Sequence, residues 1–216
     1  MFASFGPILA LLRGTAFLLA ASGLHSLLLP LRGQAEGFST SSLGLLGTAW
    51  AAGFVTGCIF APRLVRSVGH VRAFGAFAAS GAIIALMTGL LIDPIIWIIL
   101  RIFTGFAMAG AFMVIESWLN ERATNENRGT VFGLYMMVTY ASIMAGQLLV
   151  AFGDVTTDKL FMVAGIFFCL SLIPTAVSTA VTPRPLQEVS LDIRELYANS
   201  PVSVAACLLV GIANGA

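Results

Sequence analysis

The sequence predicts an all-α polytopic membrane protein. Three observations carry that expectation. Of the residues, 58% are hydrophobic and only 10% charged; the mean hydropathy is +0.96; and apolar runs approaching roughly 20 residues, enough to cross about 30 Å of hydrocarbon, recur between short polar breaks. A soluble domain carries about 25% charged residues, so this chain has too little polar surface to cover a water-exposed fold. With no water in the bilayer core to satisfy the backbone, helices are the expected spanning form.

Six spans follow in order, at 9–31, 42–62, 73–92, 95–119, 129–152 and 160–181. Residues 13–23 imitate a signal peptide, but the apolar run continues to Leu31, longer than a signal core. Pro62-Arg63 is expected to stop the second span, Asp93-Pro94 divides the third from the fourth, and Asp154 to Lys159 divides the fifth from the sixth. Residues 182–200 form the longest polar segment. There Ser190 can cap a short helix that carries Asp192 in its first turn, with Leu191, Ile193, Leu196 and Tyr197 against the membrane, or the segment is a solvated linker. A seventh apolar run begins after Pro201 and reaches Ala216. The expected organisation is an amino-terminal six-helix transmembrane domain over 1–181, a cytoplasmic linker over 182–200 and the start of helix seven over 201–216. On this reading the chain is truncated within helix seven and lacks its carboxy-terminal half.

Basic residues set the orientation. With the N-terminus cytoplasmic, Arg13, Arg63, Arg66, Arg72, Arg122, Arg128, Arg184 and Arg194 lie inside, Arg32 and Lys159 lie outside, and Arg101 falls within a span. Eight against two is a clear positive-inside bias, and both ends of the six-helix unit are expected on the cytoplasmic side. The net charge of +1 and the absence of a basic tract give nucleic-acid binding no support. Cys58, Cys169 and Cys207 lie in apolar runs and read as buried free thiols. No metal-ligand spacing appears, so no cofactor is expected.

The fourth span carries the most chemistry. It runs from Arg101 through Gly105 and Gly110 to Glu116-Ser-Trp118-Leu-Asn120-Glu121-Arg122. Ionisable groups inside a bilayer cost about 2.5–3.5 kcal/mol on insertion scales and usually face a bundle interior or a polar cavity. Arg101 and Glu116 are fifteen positions apart, about 60° around the axis and about 22 Å along it. They share a broad face with Met108 and Phe112 without touching. Arg101 either serves substrate or coupling, or snorkels to the interface. Glu116 is expected to pair with Arg63, Arg66, Arg72 or Arg122, a pair that can also act as a gate. His25 in the first span suits proton coupling, or is a hydrogen-bonded core histidine. On the fifth span Met136, Tyr140 and Gln147 share a face, and Gln147 needs a partner there. Gly53, Gly57 and Ala61 make a small-residue seam, repeated at Gly129 and Gly133. Trp50 and Trp118 read as interfacial anchors.

Ala61-Pro-Arg63-Leu-Val-Arg66-Ser-Val-Gly69-His-Val-Arg72 joins helices two and three as a basic loop with a glycine turn. Here the chain resembles the major facilitator superfamily, whose signature loop at this place is a glycine, an acidic–basic pair and Gly-Arg-Arg/Lys. Gly57, the arginines and Gly69 match. Pro62 or Arg66, depending on alignment, stands where the family has aspartate, so that aspartate's charge-pair gate is not carried over. Arg101, Gly105 and Gly110 are similar to a helix-four pattern associated with proton-linked members. Glu116 to Gly129 resembles a bacterial branch of the superfamily. The resemblance covers all six spans. It implies an MFS-type bundle built as a 3+3 repeat, one of two halves that rock about a central small-molecule site.

The expected function is therefore secondary active transport of a small solute by alternating access, with proton coupling as one option. His25, Arg101, Tyr140 and Gln147 are the substrate or coupling candidates. Gly57, Arg63, Arg66, Gly69, Arg72, Glu116 and Arg122 are the gating candidates. A non-transporting membrane sensor or scaffold is the alternative. An intramembrane enzyme is disfavoured, since Glu116 and His25 lie at opposite depths and no nucleophile–base set appears. No Walker-type phosphate loop supports a nucleotide-driven pump.

Overall fold

A computed structural model describes residues 6–177 and, beyond them, 197–203, 205, 206 and 209. The chain divides into two compact units, Met1–Pro185 and Leu186–Ala216. In the first, α1 (Gly6–Ala35), α2 (Thr40–Val68), α3 (His70–Leu90), α4 (Pro94–Arg122), α5 (Arg128–Phe152) and α6 (Lys159–Leu170) are followed by a short α7 (Leu172–Val177). Among the described residues six helices are long and apolar enough to cross a membrane, α6 and α7 counting as one span. In the second unit, residues 197–199 and 201–203 are helical. Most of the linker, including Ser190, and the end of the seventh apolar run lie outside the described residues.

Local chemistry sets the helix starts. Asp93 caps α4 by accepting from the amides of Ile95 and Ile96 at 2.8 and 3.0 Å, with Pro94 in the first turn. Ser39 caps α2 by accepting from the Ser42 amide at 3.1 Å. At Gly69 a single residue with φ 86° turns the chain from α2 into α3, a conformation that glycine alone adopts without steric cost. The expected basic loop is thus one residue long.

Pro62 does not stop the second span. It lies inside α2, which continues to Val68. The buried face of α2 carries Gly53, Gly57, Ala61 and Val65, one residue every four. Ala61 and Val65 are both at most 1% exposed, so continued packing offsets the helix hydrogen bond lost at proline.

Packing follows a repeated plan. Helix α2 lies along α4, α5 lies along α1, α3 packs on α4 as α6 packs on α1, and α3 meets α6. Exchanging the first three helices with the second three leaves this pattern unchanged, as a 3+3 repeat requires. The two long crossings are also alike at their closest points. A Cβ on Gly53 would strike the Ile102 carbonyl, and one on Gly105 the Trp50 carbonyl. In α1 and α5, a Cβ on Gly23 would strike the Ile143 carbonyl, and one on Gly146 the Ala20 carbonyl. Backbones can approach this closely only where both helices lack a side chain. Gly129 and Gly133, expected to form the second seam, have open space around them.

Arginines gather at one end of the six-helix unit, where α2 and α4 end and α3 and α5 begin. At the opposite end Arg32 is buried and ties α1 to the loop before α6. Its Nε sits 2.9 Å from Glu36, its Nη1 donates to the Val155 carbonyl at 3.1 Å, and its Nη2 reaches Asp158 at 3.5 Å. In the same loop Asp154 accepts from the Thr156 hydroxyl and amide, which holds its carboxyl below the usual aspartate range.

Two cysteine and tryptophan expectations change. Cys58 and Cys169 are free but exposed on the bundle surface, and Cys207 lies outside the described residues. Trp118 is buried rather than an interfacial anchor, because it lies on the α4 face that packs inward with Ile115 and Leu119.

Candidate functional site

Helix α4 carries two separate polar centres, one toward each end. The first is built around Arg101. Its Nε donates to the Leu46 carbonyl of α2 at 3.3 Å, and its guanidinium lies 5.9 Å over the Trp50 ring. The nearby Gly53–Gly105 crossing brings α2 close enough for both contacts. Nη1 is buried and has no hydrogen-bond partner. These contacts hold the side chain against α2.

His25 of α1 is 2% exposed, and its Nε2 is also buried and unpartnered. The ring sits edge-on to Phe161 at 6.0 Å, the innermost member of an aromatic chain running through Trp97 to Phe38. Trp97 is fixed in turn by donating to the carbonyls of Leu91 and Thr88 at 2.7 and 3.1 Å. An unsatisfied buried polar atom costs about 1–3 kcal/mol. His25 and Arg101 each carry one.

The second centre surrounds Glu116. It lines a cavity of about 750 Å³ between α2, α4 and α5, together with Phe54, Phe112, Phe132, Tyr135, Met136 and Tyr140. The Tyr135 hydroxyl donates to Glu116 Oε1 at 3.4 Å. The Tyr135 phenol is thus one group that meets Glu116. Tyr135 faces Glu116 across the α4–α5 hairpin.

The remaining candidates fall into place around these centres. Tyr140 lies in the Glu116 cavity, whereas Gln147 lines a separate recess of about 350 Å³ with Leu27 and Met144. The α5 stripe of Met136, Tyr140 and Gln147 is therefore divided between two recesses, its side chains exposed. Gly57 packs on Phe106 and Ala109 of α4. Arg63 lies 5.2 Å over the Phe60 ring, Arg66 and Arg122 are half-buried, and Arg72 is exposed. None of the gating arginines lines the cavity.

Two functional neighbours were not singled out from the sequence. Tyr135 is one. Counting from Asn125 in the hairpin loop, Glu116 lies nine positions back and Tyr135 ten positions on, so matching depths across the hairpin would have paired them. The other is His70, whose Nε2 meets the Ser117 hydroxyl at 3.1 Å and joins α3 to α4 beside Glu116. Nothing in a single sequence links residues 47 positions apart on non-adjacent turns.

Comparison with known proteins agrees with this architecture. The profile of the Major Facilitator Superfamily matches residues 11–216. The chain is 31% identical over 149 residues to the MFS-type transporter YcaD of Escherichia coli, covering 67% of this chain and 38% of that protein. It is 29% identical over 157 residues to the MFS-type transporter YE1530 of Yersinia enterocolitica, covering 73% of this chain and 41% of that protein. The alignments thus span about two fifths of the length of these relatives. Six apolar spanning helices, the repeated packing of their two triplets and the match over almost the whole chain make it a multi-pass membrane protein of the major facilitator superfamily.

Proposed function

We propose that the protein is a secondary active transporter that moves a small solute by alternating access, and is not an enzyme. The observation that carries this is that Arg101 Nη1 and His25 Nε2, two of four such side-chain atoms among the described residues with Arg32 Nε and Thr139 Oγ1, are buried and without a hydrogen-bond partner within the spans. Buried polar groups are nearly always paired, and exceptions call for an explanation. A polar solute passing this depth, or a proton handed between these groups, supplies the missing partner during the cycle. Family membership supports the same reading.

In this reading Arg101 and His25 serve substrate or proton coupling, and Tyr140 and Gln147 present polar atoms from α5. Glu116 and Tyr135 with the basic cluster at Arg63, Arg66, Arg72 and Arg122 form the gate region, with Gly57 and Gly69 allowing the close helix approach and sharp turn it needs. The bundle is oriented with its N-terminus in the cytoplasm of a bacterial inner membrane, as its arginine bias supports. Residues 1–181 form one half, 182–200 the cytoplasmic linker and 201–216 the entry to helix seven. A carboxy-terminal half completes the cavity, and the halves rock against each other.

Arg101→Ala tests the reading. Solute flux falls at least tenfold while the amount of inserted protein is unchanged. Undiminished flux removes Arg101 from the mechanism, and a protein that moves no solute at all points to the sensor or scaffold alternative.

A further inference from the structure

We propose that the Glu116 cavity binds organic cations, with one positive charge carried on a bulky aromatic or apolar body. The physiological meaning of this rests on the transport reading, whereas the binding itself does not. Three features of the cavity select the ligand class.

The first is sign. Among the described residues Glu116 is the only carboxylic acid lining the cavity, beside the Cys58 thiol and the Tyr135 and Tyr140 phenols, and no arginine, lysine or histidine lines it. Its partner is the Tyr135 phenol, a neutral donor that orients the carboxylate without cancelling its charge. An anionic solute would place its charge against this carboxylate.

The second is the wall. Phe54 and Phe112 approach at 6.3 Å on the α2–α4 side, Phe132 and Tyr135 at 6.4 Å on the α5 side, and Tyr140 adds a fifth ring. Aromatic faces attract cations, and more strongly where water is displaced. A small inorganic cation is a poor fit, because calcium takes six to eight oxygen ligands and magnesium an octahedral set. One carboxylate beside the neutral side chains of Ser117, Asn120 and Thr139 and the aromatic rings provides neither.

The third is size. A volume of about 750 Å³ lies within the range of about 300–1,000 Å³ that holds drug-sized molecules. An apolar body fills the aromatic walls while its charge lies toward Glu116.

Binding to the purified protein in detergent tests this with two probes of matched shape and opposite charge, tetraphenylphosphonium and tetraphenylborate. Cys58 gives a second readout, since it lines the cavity while the exposed Cys169 does not. Tetraphenylphosphonium is expected to bind and to slow maleimide labelling of Cys58, but not of Cys169, by at least threefold. Glu116→Gln is expected to weaken binding at least tenfold, and Glu116→Asp to recover part of it. Phe112→Ala weakens it without altering charge, which separates the aromatic wall from the carboxylate. Helical circular dichroism and a single gel-filtration peak establish that each variant is folded. Equal binding of the borate, unchanged binding by a folded Glu116→Gln protein, or no phosphonium binding each overturns the proposal. Transport of another solute without phosphonium binding overturns this inference alone. Phosphonium binding in a protein that moves no solute overturns the transport reading alone.

Discussion

Removing the imidazole of His25 is expected to separate stability from function. The ring is almost completely buried and its Nε2 has no partner, so the side chain carries an uncompensated polar atom. Exchanging such a group for an apolar one of similar shape is close to neutral or stabilising. His25→Phe should therefore leave the thermal midpoint in detergent unchanged or raised by a few degrees, while flux falls at least tenfold. A lowered midpoint would identify His25 as a structural hydrogen-bonding residue, and unchanged flux would make it a bystander. Arg32 behaves in the opposite way. Its partners are Glu36, Asp158 and the Val155 carbonyl, so Arg32→Ala strands groups at the α1 and α6 ends. A loss of about 1–3 kcal/mol is expected, read by denaturation in detergent; no loss would show that the tie between α1 and the α5–α6 loop is idle. At this scale the sequence was informative about which residues are costly to bury, as with Arg101 and His25, and about Glu116 as the acid of a polar recess. It was poor on their partners, because Tyr135 reaches Glu116 across a hairpin and Leu46 reaches Arg101 from another helix.

Among the helices, two crossings bring backbones into direct contact, and their glycines should be the least tolerant positions in the bundle. Gly146→Leu and Gly53→Leu force α5 from α1 and α2 from α4, since even a Cβ would strike a carbonyl. Overpacking costs about 1–3 kcal/mol or more. Gly133→Ala enters open space on an exposed stretch of α5 and should be neutral or gain up to about 1 kcal/mol from helix propensity. Thermal unfolding of the three variants side by side decides this, and equal midpoints would contradict the packing described. Spacing in the sequence found Gly53 and Gly57 correctly but chose Gly129 and Gly133 for the other seam. The four-residue repeat is neither necessary nor sufficient for a close crossing: Gly23 has Leu19 and Leu27 four residues to either side, and the facing helix must also present a small residue. Gly23 facing Gly146 satisfies that condition, and no spacing within one helix reveals it. Helix ends were similarly mixed. Asp93-Pro94 marked a true start, whereas Pro62 did not mark an end, because tertiary packing of Ala61 and Val65 outweighs the proline.

For the molecule as a whole, composition and hydropathy were enough to define six spanning helices, since the bilayer leaves the backbone few alternatives. The pairing of those helices was not readable from periodicity and entered only through family resemblance. Packing then relates the two triplets, with α2 on α4 matched by α5 on α1. That arrangement leaves α2 and α5 the least enclosed spans of the unit, and places the Glu116 cavity between them against α4. On the proposed function, this arrangement is a carrier with Arg101 in its path. Reconstituted proteoliposomes test it most directly, by uptake across a panel of small solutes with Arg101→Ala measured in parallel. Saturable uptake of at least one solute is expected, accelerated when the same solute is preloaded on the far side and reduced at least tenfold by Arg101→Ala. Uptake no greater than in empty liposomes for every solute, or equal rates in the wild type and Arg101→Ala, would contradict it.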